Sequence, residues 1–263
     1  MEATAVANID WSPAWLAPFA QLGQAIASSS DWRGALNAKA AAAELRNVNG
    51  QRLVFCEAGD LLDEPYEARI ARTGRVPTRS NLHDFFNALI FLHFPRAKAK
   101  LNALQSAAIA RDGIRAVRGA VRDAATLIDE NAVLVISDRT DLVDLLRRHD
   151  WHALFQDQRA AWKSHVKVVA FGHALLEKLV RPYKAATAHA LHVALPSSSQ
   201  MHVIDGWIAA ALDEQLSPSR LMPLPVLGIP GWWVPNESPD FYADLAVFRP
   251  AKMRRGRKAE MDL

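Results

Sequence analysis

The chain has 263 residues, half of them apolar and 22% charged, which suits a folded domain with a sizeable core and excludes wholesale disorder. Its single cysteine, Cys56, excludes an internal disulfide and a cysteine-based zinc cage. The formal charge of +3 resides in the last thirteen residues, AKMRRGRKAEMDL; the rest carries 26 basic and 26 acidic residues, and a neutral body argues against a dedicated nucleic-acid binder.

The first residues lack the basic-then-apolar pattern of a secretory signal. The densest apolar runs, ALIFLHF and VVAFGHALL, fall far short of the roughly 20 residues a bilayer crossing needs. The expectation is a soluble, cytoplasmic protein with no membrane span. One compact domain is expected over residues 1–250, with a basic, disordered tail over 251–263. Tail contact with nucleic acid or anionic lipid is the alternative to a solvated end.

In chain order, Ser12–Ser30 reads as a short helix. Asp31–Gly50, rich in alanine, reads as a second helix closed by Asn49-Gly50. QRLVFCEA is a strand, and PYEARIARTGRVPT alternates weakly enough to be a second strand or hairpin arm. SNLHDFFNALIFLH is a core helix, capped by Ser80 or Asn81 and ended by Pro95. Pro95 then opens a further helix that stops at Gly113. DAATLIDENAVLVIS looks like two short strands around a tight turn at Glu130-Asn131. Asp138 or Thr140 opens a helix through DLVDLLRRH. Gln158–Arg181 reads as one long helix ended by Pro182. ALHVALP is a strand, and SSSQMHVIDGWIAAALDEQL is an amphipathic helix with serine capping. From Ser217 the proline-rich chain cannot form a long helix, so it reads as an extended wrap pinned by Trp232, Trp233, Phe241 and Tyr242. The fold class is α+β and predominantly helical: a compact helical core, short strands or hairpins, and a Pro/Trp-rich C-terminal wrap.

Three loci carry groups that need partners. On the first core helix, His83 and Asn87 share a face with Asp84 beside them. An imidazole, a carboxylate and an amide on one turn can bind a metal, orient a water or position a phosphate, or can simply tie helices together. In the second locus His173 and Glu177 are four apart, with His165 near the same face. This spacing can offer two ligands to a divalent metal, although it is not H-E-x-x-H, which would supply a general-base glutamate. Gly172, read as mid-helix, implies close approach by another group. The third locus holds Arg118, Arg122 and Asp123, then Asp129, Glu130 and Asn131 at the expected turn. Acidic turns can hold Mg²⁺ or Ca²⁺, but acidity there more often serves solubility. Phosphate-binding glycine loops and the G-x-S-x-G elbow are absent, and Cys56 reads as an inert core residue.

Four segments, PTRSNLHDFFNALIFLHFPRAKAKLNALQ, RDAATLIDENAVLV, FGHALLEKLVRPY and PLPVLGIPGWW followed by NESPDFYADLAVFRP, come in this order at these separations. Together they resemble the bacterial family of domain of unknown function 3025. The likeness runs from about Trp11 to Pro250 and leaves the tail outside. It implies a bacterial, soluble, single-domain protein and transfers no residue roles. The family pattern has glycine after Asp-Glu-Asn, where this chain has Ala132. A turn needing positive φ there would strain the alanine.

These readings support two expectations. The first is a hydrolase-like enzyme using acid/base or metal-assisted chemistry on a small or anionic substrate. His83, Asp84, His173 and Glu177 would be catalytic, and Asn87, Arg96, Arg122 and Asp123 would bind substrate. A divalent metal ion is the candidate cofactor, held by His173, Glu177 and Asp84, with His83 as the alternative to Asp84. The second is a binding or scaffold protein that works through the Pro/Trp-rich segment, with Trp232 and Trp233 as anchors.

Overall fold

The computed structural model describes residues 2–59, 64–113 and 119–251. The expected disordered tail, apart from its first residue, and Arg118 lie outside them. The chain is 54% helical with 12% strand, so the helical α+β expectation holds. No helix among the described residues is long and apolar enough to cross a membrane.

Helices α1 (Glu2–Ala7), α2 (Ala20–Ala27) and α3 (Trp32–Ala42) come first. Asp31 caps α3 by accepting from the Gly34 N–H at 2.8 Å. The helix stops well short of Asn49-Gly50; that pair turns the chain between the bridged residues Arg46 and Arg52. Strand β1 (Val54–Cys56) follows as expected. The next segment differs: PYEARIART forms α4 (Tyr66–Thr73), closed by Gly74 at φ 68°, and only Arg75–Pro77 is strand, β2, parallel to β1. Its Glu, Ala and Arg are strong helix formers, and the weak alternation misrepresents a helix with Ile70 and Ala71 facing inward.

Helices α5 (Leu82–His93) and α6 (Pro95–Asp112) form as the sequence predicts. Asn81 caps α5 by accepting from the Asp84 N–H at 2.8 Å. The expected hairpin does not exist. Residues 120–131 are helix α7 (Ala120–Asn131), which runs with no loop into β3 (Ala132–Ile136). Ala124, Ala125 and Ile128 give α7 an apolar stripe at helical spacing. Ala132 lies at φ −91°, ordinary extended backbone, so the anticipated strain does not arise.

After α8 (Thr140–Arg147), the segment expected as one long helix divides into α9 (Arg159–His165), β4 (Lys167–Ala170) and α10 (His173–Leu179). Val168 and Val169 suit a strand and break the helical run. Strand β5 (Thr187–Val193), helix α11 (Met201–Ala211) and strand β6 (Met222–Pro225) complete the fold. No serine side chain caps α11. The larger sheet has the order β4-β3-β5-β6, with β3 parallel to β5 and the outer pairs antiparallel. All five residues of β3 are fully buried, which makes it the centre of the core.

The C-terminal segment wraps as expected. Phe241, Tyr242 and Phe248 are buried with Trp151, Phe155 and Trp162. Arg159 donates to Tyr242 Oη and Asn236 Oδ1, each at 3.0 Å. Trp232 and Trp233 are half-buried against the core, and Trp232 lies 6.0 Å from Trp15.

Gly172 is not within a helix but caps α10, and its close approach is real. A Cβ there would sit 2.4 Å from the Asn131 N and 2.5 Å from the Glu130 O. Both neighbours are backbone and cannot swing away. Gly172→Ala is expected to destabilise the fold by roughly 1–3 kcal/mol or more, measured by urea unfolding. An unchanged midpoint would mean the junction yields easily.

His93 belongs to the core rather than to the site. Its ring packs edge-on against Phe19 at 4.9 Å, and its Nε2 is buried without a partner. Burial lowers its pKa from 6.5 to about 4. A depressed pKa contributes stability that is complete above pH 6.5 and is lost as pH falls towards 4. The expected loss is on the order of 3 kcal/mol. His93→Phe should flatten that part of the pH–stability curve, read by denaturation at a series of pH values.

Candidate metal centre and its pocket

The start of α10 packs against α5 and α7. The antiparallel register of β3 and β4 pairs Val133 with Ala170, and Phe171 and Gly172 both donate to the Ala132 carbonyl. That clamp sets His173, the first residue of α10, beside Asp129 and Glu130 at the end of α7. On α5, His83 faces the same point from the first turn.

The two imidazoles meet edge to face, with His83 Nε2 3.0 Å from His173 Nε2. Glu130 Oε2 lies 3.5 Å from His173 Nε2. One donor atom from each of His83, Glu130 and His173 falls within 4.8 Å of the other two. Behind this trio each histidine has a carboxylate. His83 Nδ1 lies 2.9 Å from Glu177 Oε2, and His173 Nδ1 lies 3.8 Å from Asp129 Oδ2. His173 Nδ1 is buried and makes no hydrogen bond of ordinary length.

Burial lowers the His173 pKa to about 4, although the charge of Asp129 pulls it upward. Burial alone would raise the Asp129 pKa; Lys98, together with His173 and His83, more than offsets this and holds it below the usual carboxylate range. Lys98 Nζ is buried, donates to Asp129 Oδ1, and donates to Asn87 Oδ1 at 2.9 Å. Asn87 Nδ2 in turn donates to Tyr66 Oη at 3.0 Å. Burial, then repulsion from Asp129, raises the Glu130 pKa.

A cavity of about 260 Å³ opens onto these groups. Its wall includes Tyr66, Glu67, Arg79, Asn87, Glu130 and His173. Glu67 comes from the first turn of α4 and is held by Asn102 Nδ2, which donates to its Oε2 at 2.5 Å and its carbonyl at 2.9 Å.

The structure therefore brings together His83, Asp84, Asn87, His173 and Glu177, but with different functions for some. Asp84 is engaged by Arg79, which donates from its backbone N at 2.6 Å and from Nε and Nη2 at 3.0 and 3.1 Å. It is poorly placed as a ligand, and Glu177 stands behind His83 rather than beside His173. The donor atoms that lie within 4.8 Å of one another belong to His83, His173 and Glu130 rather than to the expected set of His173, Glu177 and Asp84. Arg96 lies against α11: its backbone N donates to Asp205 Oδ2 at 3.1 Å, and its guanidinium sits near Gly206. Arg122 and Asp123 occupy the first turns of α7, and none of these three lines the cavity. His165 ends α9, where its carbonyl accepts from Ser137 Oγ at 2.9 Å.

The sequence reading missed Tyr66, Glu67, Arg79 and Lys98, and assigned Glu130 to a solvated turn. The apolar stripe of α7 was a signal for Asp129, which lies four residues after Ala125 and is buried; Glu130 lies off that stripe, half-exposed, and carries no such mark. Lys98 in an alanine-rich helix carries no such signal.

Residues 52–252 match the family described as Protein of unknown function (DUF3025). The chain belongs to that family. No curated protein and no solved structure matches it. All members of the candidate centre and its wall lie within the DUF3025 portion.

Lys98→Met would leave Asp129 buried and unpaired, at an expected cost of about 3–5 kcal/mol. Replacing the pair together, Lys98→Met with Asp129→Leu, should recover most of that loss. Chemical denaturation of both variants measures the coupling; equal stabilities would show that the ion pair is not what holds this corner.

Proposed function

We propose that this DUF3025 protein is a metal-dependent hydrolase-like enzyme whose divalent ion is held by His83, His173 and Glu130. The observation that carries the reading is the pair of facing Nε2 atoms, 3.0 Å apart, with a Glu130 oxygen 3.5 Å from one of them. At metal–ligand bonds of ~2.1 Å, ligand atoms stand roughly 3.0 Å apart at right angles and roughly 3.4 Å apart in a tetrahedron. Two of the three separations are thus already near coordinating distance, and all three lie within 4.8 Å. The outer nitrogens point towards carboxylates of Glu177 and Asp129, the arrangement that fixes a ligating histidine's tautomer and raises its basicity.

Three protein ligands leave positions for water and substrate. The ion would polarise a substrate oxygen and ease ionisation of a bound water. Titratable groups in the pocket wall, rather than an apolar cage, suit proton transfer with that water. The cavity of about 260 Å³ admits a small group. Its wall carries the carboxyls of Glu67, Asp84, Asp129 and Glu130 against the guanidinium of Arg79. With Asp84 paired to Arg79 and Asp129 to Lys98, Glu67 and Glu130 are left to face the ion, and a wall with no spare cation among the described residues favours a neutral ester or amide over the anionic substrate expected from the sequence.

Calorimetry with Zn²⁺ and Mn²⁺ should give one ion per chain. His83→Ala and His173→Ala should abolish binding, Glu177→Gln should weaken it about 10–100-fold, and Asp84→Asn should leave it nearly unchanged. Absence of binding to the wild-type protein, or equal binding by His83→Ala, would overturn the reading.

A further inference from the structure

Glu67 has no part in ligand binding, yet it projects into the same cavity from a different element. Among the described residues its one hydrogen-bond donor is Asn102, whose Nδ2 donates to a carboxyl oxygen and to the backbone carbonyl of Glu67. The residue is half-buried and forms part of the cavity wall. Three charges face it from neighbouring helices: Asp129 and Arg122 from α7 and Lys98 from α6. Tyr66 stands next to it, its hydroxyl held by Asn87. A carboxyl fixed on one side by Asn102 and hydrogen-bonded to no arginine or lysine among the described residues is unusual in a structural role, where both oxygens are normally satisfied. Asp84 in the same cavity provides the contrast, because Arg79 engages both of its oxygens.

We propose that Glu67 is the proton-transfer residue of this site, a general base and then general acid facing the metal position. The proposal rests on the metal reading above and adds to it the group that the H-E-x-x-H pattern would have supplied. In the first half-step the Glu67 carboxylate takes a proton from water as the water oxygen bonds to the carbonyl carbon of the substrate. In the second, the bond from that carbon to the leaving oxygen or nitrogen breaks, and the leaving atom takes the proton from Glu67. One water is consumed and no oxidant is required. Burial, then the charge of Asp129, raises the Glu67 pKa to about 7, which suits a group that must both accept and release a proton near neutrality.

Acetohydroxamate is the probe, because it binds a metal through two oxygens while surrendering a proton to a nearby base. Zn²⁺-loaded wild-type protein should bind it, and Glu67→Gln should bind it at least ~10-fold more weakly while Zn²⁺ affinity stays within about threefold. Equal acetohydroxamate affinity in the variant, or no acetohydroxamate binding by Zn²⁺-loaded wild type, overturns the role of Glu67 and leaves the metal reading standing. Failure of the wild type to bind Zn²⁺ removes the metal reading and this proposal with it. Should Glu67→Gln not fold, carboxyl ¹³C titration of the wild type decides: a Glu67 signal titrating between about pH 6 and 8 supports the assignment, and titration wholly below about pH 5 overturns it.

Discussion

The whole site depends on one backbone contact, the pressing of Gly172 against the junction of α7 and β3. A helix that passes into a strand with no loop exposes the peptide groups at its end, and two of the nearest N–H groups, from Phe171 and Gly172, converge on the Ala132 carbonyl. The approach is possible because residue 172 has no side chain. Once the contact is made, little freedom remains. The next residue is His173, and the residues across the contact are Asp129 and Glu130. Sheet register between β3 and β4 thus determines which side chains share the pocket, and α5 needs only to lie across the start of α10 to bring His83 into place.

The same contact creates an electrostatic problem that the fold has to solve. Asp129 is buried beside Glu130, and Glu67 lies near enough to be affected by its charge. An isolated carboxylate in such a place would cost several kcal/mol (about 1–3 or more even when partly solvated). Lys98 provides the compensating charge and is itself fixed by Asn87 and by the face of the Phe91 ring, 4.4 Å away. Asn87 therefore serves as a strut within the site, joining Lys98 to Tyr66 in the cavity wall. The division between structural and functional polar groups, drawn residue by residue from the sequence, does not survive here: a strut such as Lys98 holds Asp129 charged, and Asp129 stands behind a candidate ligand.

How far the sequence anticipated this follows from which signals were local. Helix α5 was legible because its cap, its apolar run and Pro95 all lie within one segment, and His83 and His173 were legible as unexplained polar groups in apolar surroundings. Gly172 was recognised as a close approach but placed in the wrong element. The continuous apolar texture of Gln158–Arg181 hides a buried strand, which periodicity alone does not separate from helix. Asp129 and Glu130 were taken for a turn because Asp-Glu-Asn is turn-like in composition, while the deciding contacts, Gly172 and Lys98, come from distant parts of the chain. Glu67 had no local mark at all; its position becomes informative only when α4 is packed against α6 and its carboxyl is left facing the cavity.

Charge and protonation both bear on the proposed cation at the point where these groups meet. Glu130, Asp129 and Glu177 stand beside the two histidines, with Lys98 committed to Asp129. Such a field should favour imidazolium, yet burial keeps His173 neutral, with a pKa of about 4. A neutral imidazole retains the lone pair that coordination requires and adds no positive charge of its own. Without an ion, one Nε2–H donating to the other Nε2 satisfies the facing pair; the proposed divalent ion would instead use both nitrogen lone pairs and bring positive charge among the carboxylates.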